Sequence, residues 1–448
     1  MRFFRADVFT EQKNILMPVC WLLWSSAIIL LEFYYRDATG VRLKIAYGQY
    51  LFFAVAIASG LLLASVYYRS IRERPAWPLL GALGFLLMAM AISAAAGITP
   101  VYGLRLLIII LLTSWPFLML GMMSGSVENQ CIITPFLSVS IACACSAVLL
   151  ALTGPVQIAA ITLENYLMGQ RWAFFFIEAN GFAGMLALGI STLLFKVSSS
   201  QSKREKQLLL LLFLPLLLGV LWKTNSRGSF LWIFITLLMY GGLALISLAK
   251  KNFTLSPGKF LLISIVSVIV LATIVIALYW HELSAFLRLN QADMTTGRMQ
   301  IWLFYLQQFK IHPWFGFGFA GSDALMADFE FHGPYTIAGP LNVFIGILGE
   351  SGLFGISALL ILWGGAIWKA WRTVRRRFAQ QDFKFHYAFF LMVILISLAA
   401  HQNGEWLVLR VTPFNGLFFF LIGAAWTLDK NDGLAAKAAV NSSSKPNS

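Results

Sequence analysis

Three arginines flank strongly apolar segments of the chain, where basic residues are uncommon: Arg171, Arg227 and Arg298. A guanidinium group is planar and always charged, and its N–H donors form a fork that matches two oxygens of a phosphate. The same group is costly near the centre of a bilayer. Three such groups held together would suit a diphosphate, so the first chemistry that the residues suggest is the binding of phosphate oxygens.

Two kinds of side chain could move a proton. Glu178 and Glu350 lie within apolar runs, where a carboxylate is expensive unless it has a partner. We expect Glu178 to pair with one of the arginines and Glu350 to have a structural hydrogen-bonding role. His332 and His401 are candidate bases, because an imidazole with an ordinary pKa near ~6.5 exchanges protons at physiological pH.

The composition indicates that these groups belong to a membrane protein. Hydrophobic residues make up 59% of the 448 residues and charged residues 12%, whereas soluble domains contain roughly 25% charged residues. Apolar runs of about 20 residues, the length that crosses a bilayer, predict about twelve transmembrane helices in one polytopic domain, residues 1–428. The runs are 15–33, 46–68, 77–97, 103–123, 132–155, 173–195, 207–222, 228–249, 260–281, 339–368, 385–402 and 408–428.

The basic residues predict the orientation. The N-terminus, most alternate loops and the C-terminal tail carry 22 of the 33 basic residues, which places them and both termini in the cytoplasm. The net charge of +14 reflects this anchoring pattern, so we expect no nucleic-acid partner. Residues 429–448, rich in Ala, Ser, Asn and Lys, are predicted to form a disordered cytoplasmic tail.

One long segment, 282–338, lies on the side of the membrane opposite the basic loops. A loop of this length is functional or disordered, and its many aromatic residues argue against disorder. The apolar spacing from Met299 to Phe309 predicts a short amphipathic helix on the outer leaflet. We therefore predict a periplasmic loop that carries part of an active site, above an all-α integral membrane protein.

Four ordered motifs resemble the signatures of the superfamily of O-antigen ligases and O-antigen polymerases (Wzy). Arg171 and Asn180 belong to the first, Arg227 to the second and Arg298 to the third. In the fourth, Leu341 precedes Asn342 where the ligases carry a His. The motifs are QRWAFFFIEANG at 170–181, TNSRGS at 224–229, RMQIW with HPWFGFG between 296 and 318, and LNVFIGILGESGLFG at 341–355.

The resemblance implies a GT-C-like fold and a glycosyltransferase of the bacterial inner membrane. Its donor would be an undecaprenyl-diphosphate-linked glycan, and its partners a flippase and a chain-length regulator. The substrate-binding residues would be the three arginines, Asn180 and Asn342. His332 would replace the missing family His as the base, with Glu178 as the second candidate. An inverting reaction without metal or cofactor is expected, and Asp293, Asp323 and Asp328 are too scattered for an Asp-x-Asp site.

Leu341 favours a polymerase of O-antigen or exopolysaccharide repeat units over a ligase that joins glycan to lipid A-core, because the resemblance implies that ligases depend on the His. A lipid-linked glycan transporter is the alternative from another class. It would show interrupted helices with polar groups near the midplane, in two related halves, whereas this chain concentrates its polar groups at one face. An inactive member that only binds lipid-linked glycan is a third alternative.

Overall fold

The structure is a computed structural model that describes residues 18–27, 34–36, 42–44, 48–73, 77–124, 133–154, 156–158, 161–163, 166–168, 171–174, 179–200, 202–252, 298–327, 340–403, 408–410 and 412–428. Thirteen helices lie within these ranges. They are α1 (18–27), α2 (Gly48–Glu73), α3 (Trp77–Ala96), α4 (Pro100–Ser124), α5 (Thr134–Thr153), α6 (Ala179–Ser199), α7 (Lys203–Thr224), α8 (Arg227–Asn252), α9 (Arg298–Ile311), α10 (Ser322–Ala327), α11 (Val343–Arg377), α12 (Phe383–His401) and α13 (Pro413–Thr427).

The helices confirm an all-α integral membrane protein. Eleven of the twelve apolar runs coincide with helices, and the run 260–281 lies outside the described residues, as does the tail 429–448. Among the described helices, eight are long and apolar enough to cross a membrane: α3 to α8, α11 and α12. Shorter apolar helices cover Tyr50–Ala64 and Pro413–Thr427.

Short strands join two connections that are far apart in the chain. The described residues include six strands of three or four residues: β1 (Tyr34–Arg36), β2 (Arg42–Lys44), β3 (Val156–Ile158), β4 (Ile161–Leu163), β5 (Tyr166–Met168) and β6 (Arg171–Phe174). β2-β1-β4-β3 form one antiparallel sheet and β5-β6 a second. Because Arg36 pairs with Thr162, the connection between α1 and α2 meets the connection between α5 and α6.

Small residues let the inner helices approach closely. A Cβ atom at Gly189 of α6 would lie 2.4 Å from Cβ of Ser140 on α5, and one at Gly121 of α4 would lie 2.1 Å from the carbonyl oxygen of Phe420 on α13. Close backbone approach through Gly and Ala is the usual packing mode of membrane helices. As a result α6, α12 and α13 are buried along most of their length, whereas most residues of α5 and α7 are exposed or only partly buried.

Helix α11 is broken at Gly352. This residue has φ 61° and ψ −159°, a backbone conformation that side chains with a Cβ rarely adopt. The segment 313–318 packs into the break: Leu353 N donates to Pro313 O at 2.8 Å, and Gly318 N donates to Glu350 O at 3.0 Å. Two of the sequence motifs, the HPWFGFG segment and the 341–355 signature, therefore form one junction.

Glycines are required on both sides of this junction. A Cβ at Gly352 would lie 2.4 Å from the carbonyl carbon of Trp314, and a Cβ at Gly316 would lie 2.3 Å from the carbonyl carbon of Glu350. Gly316 also has a positive φ, +69°. The glycine spacing of both motifs thus follows from the contact between the loop and the broken helix.

Candidate active site

Five helix ends meet at one end of the bundle, which we call the His401 end. α6, α8, α11 and α13 begin there and α12 ends there. Val343 N donates to Gln402 O at 3.1 Å, and Cβ atoms at Gly184 and Gly228 would lie 3.6 Å and 3.4 Å from the His401 ring. The folding of these ends together brings Asn180, Arg227 and Asn342, which are far apart in sequence, to the same end of the molecule.

The opposite end, which we call the basic end, collects the Lys- and Arg-rich connections. Ser124 Oγ and Tyr387 Oη are 2.7 Å apart, and the Phe195 and Phe383 rings lie 6.0 Å apart. These contacts join the end of α4 and the end of α6 to the start of α12. The basic last turn of α11, Arg375 to Arg377, comes shortly before that start. The charge-derived prediction that the arginine candidates and the basic loops lie at different ends is consistent with this arrangement.

Asn342 is the N-cap of α11. Its Oδ1 atom accepts hydrogen bonds from Phe344 N at 3.0 Å and Ile345 N at 3.1 Å, and its Nδ2 atom donates to Asn403 O at 3.3 Å. An N-cap side chain satisfies backbone donors that the helix cannot. In this structure both the oxygen and the nitrogen of the buried amide therefore stabilise the start of the helix. The preceding residue, Leu341, has a left-handed backbone with φ 48°.

Arg298 is the first residue of α9, and this helix reaches the start of α11. Trp302 Nε1 donates to Pro340 O at 2.7 Å, and Arg298 and Trp302 lie four residues apart, on the same helix face. The predicted helix over Met299–Phe309 is confirmed, whereas its predicted amphipathic character is not. Its apolar residues occupy two faces, because Ile301 and Tyr305 are buried while Met299, Leu303 and Leu306 are exposed.

Arg227 begins α8 after a turn that holds it in place. Asn225 has a left-handed backbone with φ 50°, and the buried hydroxyls of Ser226 and Ser229 are 3.2 Å apart. Gly228 then packs against His401. Asn180, the other described candidate, is the second residue of α6 and is partly buried.

Three predicted site residues are less defined by the structure. The backbone of Arg171 lies in β6 and pairs with Met168, while its side chain lies outside the described part. Glu178 and His332, the two predicted bases, fall outside the described residues altogether. Their roles stay predictions.

A buried carboxylate forms a second polar centre. Glu350, one of the last residues before the break in α11, has an exposed fraction of 0%. It accepts hydrogen bonds from Ala320 N at 3.1 Å, from the Ser322 hydroxyl, and from Arg410 Nη2 at 3.1 Å. This agrees with the structural hydrogen-bonding role that the sequence indicated for Glu350.

The partner Arg410 was not among the residues singled out from the sequence. It lies between α12 and α13, and the turn before it is held by two buried amides: Val408 N donates to Gln402 Oε1 at 3.1 Å, and Leu409 N donates to Asn415 Oδ1 at 3.0 Å. One feature of the sequence could have identified Arg410. Arg410 is a basic residue on the side of the chain where the positive-inside rule predicts few.

Left-handed backbone conformations mark the same end of the molecule. Among the described residues, five that are not glycine have a positive φ: Asn225, Ala320, Leu341, Gln381 and Leu409. All except Gln381 stand one or two residues before Arg227, Ser322, Asn342 or Arg410. Strained backbone of this kind is concentrated at functional sites, so its distribution supports an active site at the His401 end.

The comparison with known protein families adds to this geometry. The family model described as O-antigen ligase matches residues 210–360. Over this segment the chain is similar to the O-antigen ligase family. The match confirms the resemblance to the ligase and polymerase superfamily over a third of the chain. No curated protein matches the chain.

The O-antigen ligase match covers some of the site and not the rest. It contains Arg227, Arg298, the junction at Gly352 and Glu350. It excludes Asn180, His401 and Arg410, which the fold brings to the same end. Across the described ranges, no three His, Cys, Asp or Glu side chains are grouped so that they could hold a metal ion.

Proposed function

We propose that this protein transfers glycan from an undecaprenyl-diphosphate-linked oligosaccharide, at the periplasmic face of a bacterial inner membrane, and that it extends O-antigen or exopolysaccharide repeat units. The observation that carries the proposal is the O-antigen ligase segment, with Arg227 and Arg298 at the starts of two of its helices. A lipid-linked diphosphate requires cationic donors at the membrane interface, and arginines at helix starts are such donors.

The reaction proceeds by single displacement. The acceptor hydroxyl attacks the anomeric carbon of the donor, the bond from that carbon to the diphosphate oxygen breaks, and the configuration inverts. The hydroxyl proton goes to a general base, for which His332 and Glu178 are the candidates. The arginines stabilise the negative charge that grows on the departing diphosphate. None of these steps needs a metal ion.

Acceptor choice separates the two activities of the superfamily. A polymerase passes the growing chain to another lipid-linked unit, whereas a ligase passes it to lipid A-core. Leu341 cannot accept a proton, and the resemblance implies that the ligases depend on a His at this position, which favours the polymerase. The ligase alternative is supported by the description of the matching family.

Deletion of the gene, followed by gel profiles of lipopolysaccharide and capsule, tests the proposal. Loss of long chains with a single-unit product retained is the result expected for a polymerase. Loss of all attached glycan would identify a ligase instead. Loss of surface glycan together with lipid-linked oligosaccharide trapped in the cytoplasmic leaflet would contradict both and would indicate a transporter.

A further inference from the structure

We propose that His401 donates a hydrogen bond from Nε2 to an anionic phosphate oxygen at the N-terminus of α8. This inference rests on the proposed function and extends it, because it adds to the predicted arginines a neutral donor on a helix outside the O-antigen ligase segment.

Its neighbours fix the position of the His401 ring. The residue is fully buried, with an exposed fraction of 0%. The ring stacks on Phe414, with centroids 6.2 Å apart and planes at 17°, and the Trp232 ring meets it edge-on at 5.7 Å. Gly184 and Gly228 leave room for the ring between α6 and α8. These contacts hold the plane of the ring in place.

Gln402 determines which ring nitrogen carries the proton. Its Oε1 atom accepts a hydrogen bond from Val408 N at 3.1 Å, which fixes the orientation of the amide. Its Nε2 atom then faces His401 Nδ1 at 3.5 Å. An amide nitrogen can only donate, so Nδ1 is the acceptor and the proton of the neutral ring lies on Nε2.

The Nε2 donor of His401 has no hydrogen-bond partner within the part of the chain that the structure describes. It lies 3.8 Å from the position that a Cβ atom at Gly228 would occupy, and so beside the first turn of α8. A buried donor without an acceptor is destabilising, so an unpaired group of this kind requires an explanation.

The first turn of α8 presents further donors. Its first backbone hydrogen bond runs from Phe230 N to Ser226 O, at 3.1 Å. The N–H groups of Gly228 and Ser229 come before this bond in the chain, so the helix itself provides no acceptor for them. The N-terminus of a 26-residue helix also carries a partial positive charge. With Arg227 beside it, this turn offers donors and positive charge, and the ligand that complements it is an anionic oxygen.

Two sources could supply such an oxygen: the diphosphate of the lipid carrier and a free phosphate compound. The test therefore uses the purified full-length chain in lipid nanodiscs and two probes, undecaprenyl diphosphate and inorganic pyrophosphate, with the Kd of each measured by titration. A hydrogen bond to a charged group is worth about 1.5–3 kcal/mol, so we expect loss of the donor to raise Kd roughly tenfold to a hundredfold.

Two substitutions at His401 distinguish the contribution of the N–H donor from that of the aromatic ring. His401→Phe keeps an aromatic ring between Phe414 and Trp232 and removes the N–H, and we expect weak binding. His401→Gln keeps an N–H at a similar reach, and we expect affinity within about threefold of the wild type. If His401→Phe binds undecaprenyl diphosphate as tightly as the wild type, the proposal is overturned.

A second pair of variants leaves every polar atom in place. Gly228→Ala puts a methyl group 3.4 Å from the His401 ring, whereas Gly241→Ala, on the same helix, meets nothing within 4 Å. We expect Gly228→Ala alone to weaken binding. Equal affinity in the two alanine variants would contradict the proposal, even if the His401 variants fail to fold.

The outcomes also separate this inference from the proposed function. If Arg227→Ala loses binding and His401→Phe retains it, the diphosphate site stands without His401. If the wild type binds neither probe, both proposals fail. Binding of pyrophosphate without binding of the lipid would overturn the assignment to the carrier.

Discussion

At the scale of single residues, the predicted chemistry depends on positive charge placed where the membrane disfavours it. We expect Arg227→Ala and Arg298→Ala each to abolish glycan transfer while insertion in the membrane continues, because each removes a charge that neutralises the diphosphate. Lys should restore little, since it lacks the bidentate fork. The measurement is polymer length on gels at matched expression.

Arg105→Ala is the matched control for these variants, because Arg105 is an exposed arginine of α4 outside the predicted site. It should leave the polymer unchanged. Wild-type polymer length in both the Arg227 and the Arg298 variant would remove the arginines from the mechanism.

The general base is the second prediction at this scale. We expect His332→Ala to lower transfer at least about a hundredfold, the usual effect of losing a general base. Leu341→His should not create a ligase, because acceptor choice depends on the whole loop. Full activity of His332→Ala in a chain-length assay would shift the role to Glu178, and Glu178→Gln should then abolish transfer.

The Glu350–Arg410 pair gives a prediction about stability. Arg410→Ala leaves a fully buried carboxylate without its cation, and breaking such a pair from one side costs about 3–5 kcal/mol. Glu350→Gln combined with Arg410→Gln removes both charges, so we expect it to unfold at a higher temperature than Arg410→Ala alone. Equal unfolding temperatures of the single and the double variant, measured in detergent, would show that the two side chains do not stabilise each other.

At the scale of elements, the break in α11 determines where the loop docks. We expect Gly352→Ala to destabilise the protein by about 1–3 kcal/mol or more, because it forces a Cβ into a left-handed position and against Trp314. Gly364→Ala on the same helix meets nothing within 4 Å and should be neutral. Thermal unfolding of the purified protein distinguishes the two, and equal melting temperatures would refute the docking role.

At the scale of the whole molecule, the predicted orientation can be tested with reporter fusions. We expect alkaline phosphatase fused at Ala324 to be active, because the basic residues place 282–338 in the periplasm, and the same enzyme fused at the C-terminus to be inactive. A green fluorescent protein fusion at each position is the control, since its expected pattern is the reverse. Phosphatase activity at the C-terminus would refute the orientation.

Much of this architecture was predictable because apolar length is a strong signal. The run 385–402 predicted α12 almost to the residue, and the run 339–368 predicted the helix that Asn342 caps. The sheet that joins Arg36 to Thr162 was not predicted, since three-residue strands have no pattern of their own. Arg410 was missed because its partner Glu350 lies 60 residues away, and sequence spacing alone gives no sign of such a contact.

The break at Gly352 also divides the apolar length of α11. After the break, the apolar stretch from Leu353 to Trp368 has 16 residues, or about 24 Å at ~1.5 Å per residue, which is less than the hydrocarbon thickness of about 30 Å. The five basic residues between Lys369 and Arg377 belong at the lipid headgroups, so the residues before the break, with Glu350 among them, are needed to complete the crossing. A carboxylate at that depth is expensive unless it is paired, which explains why the fold supplies Arg410 from another helix connection.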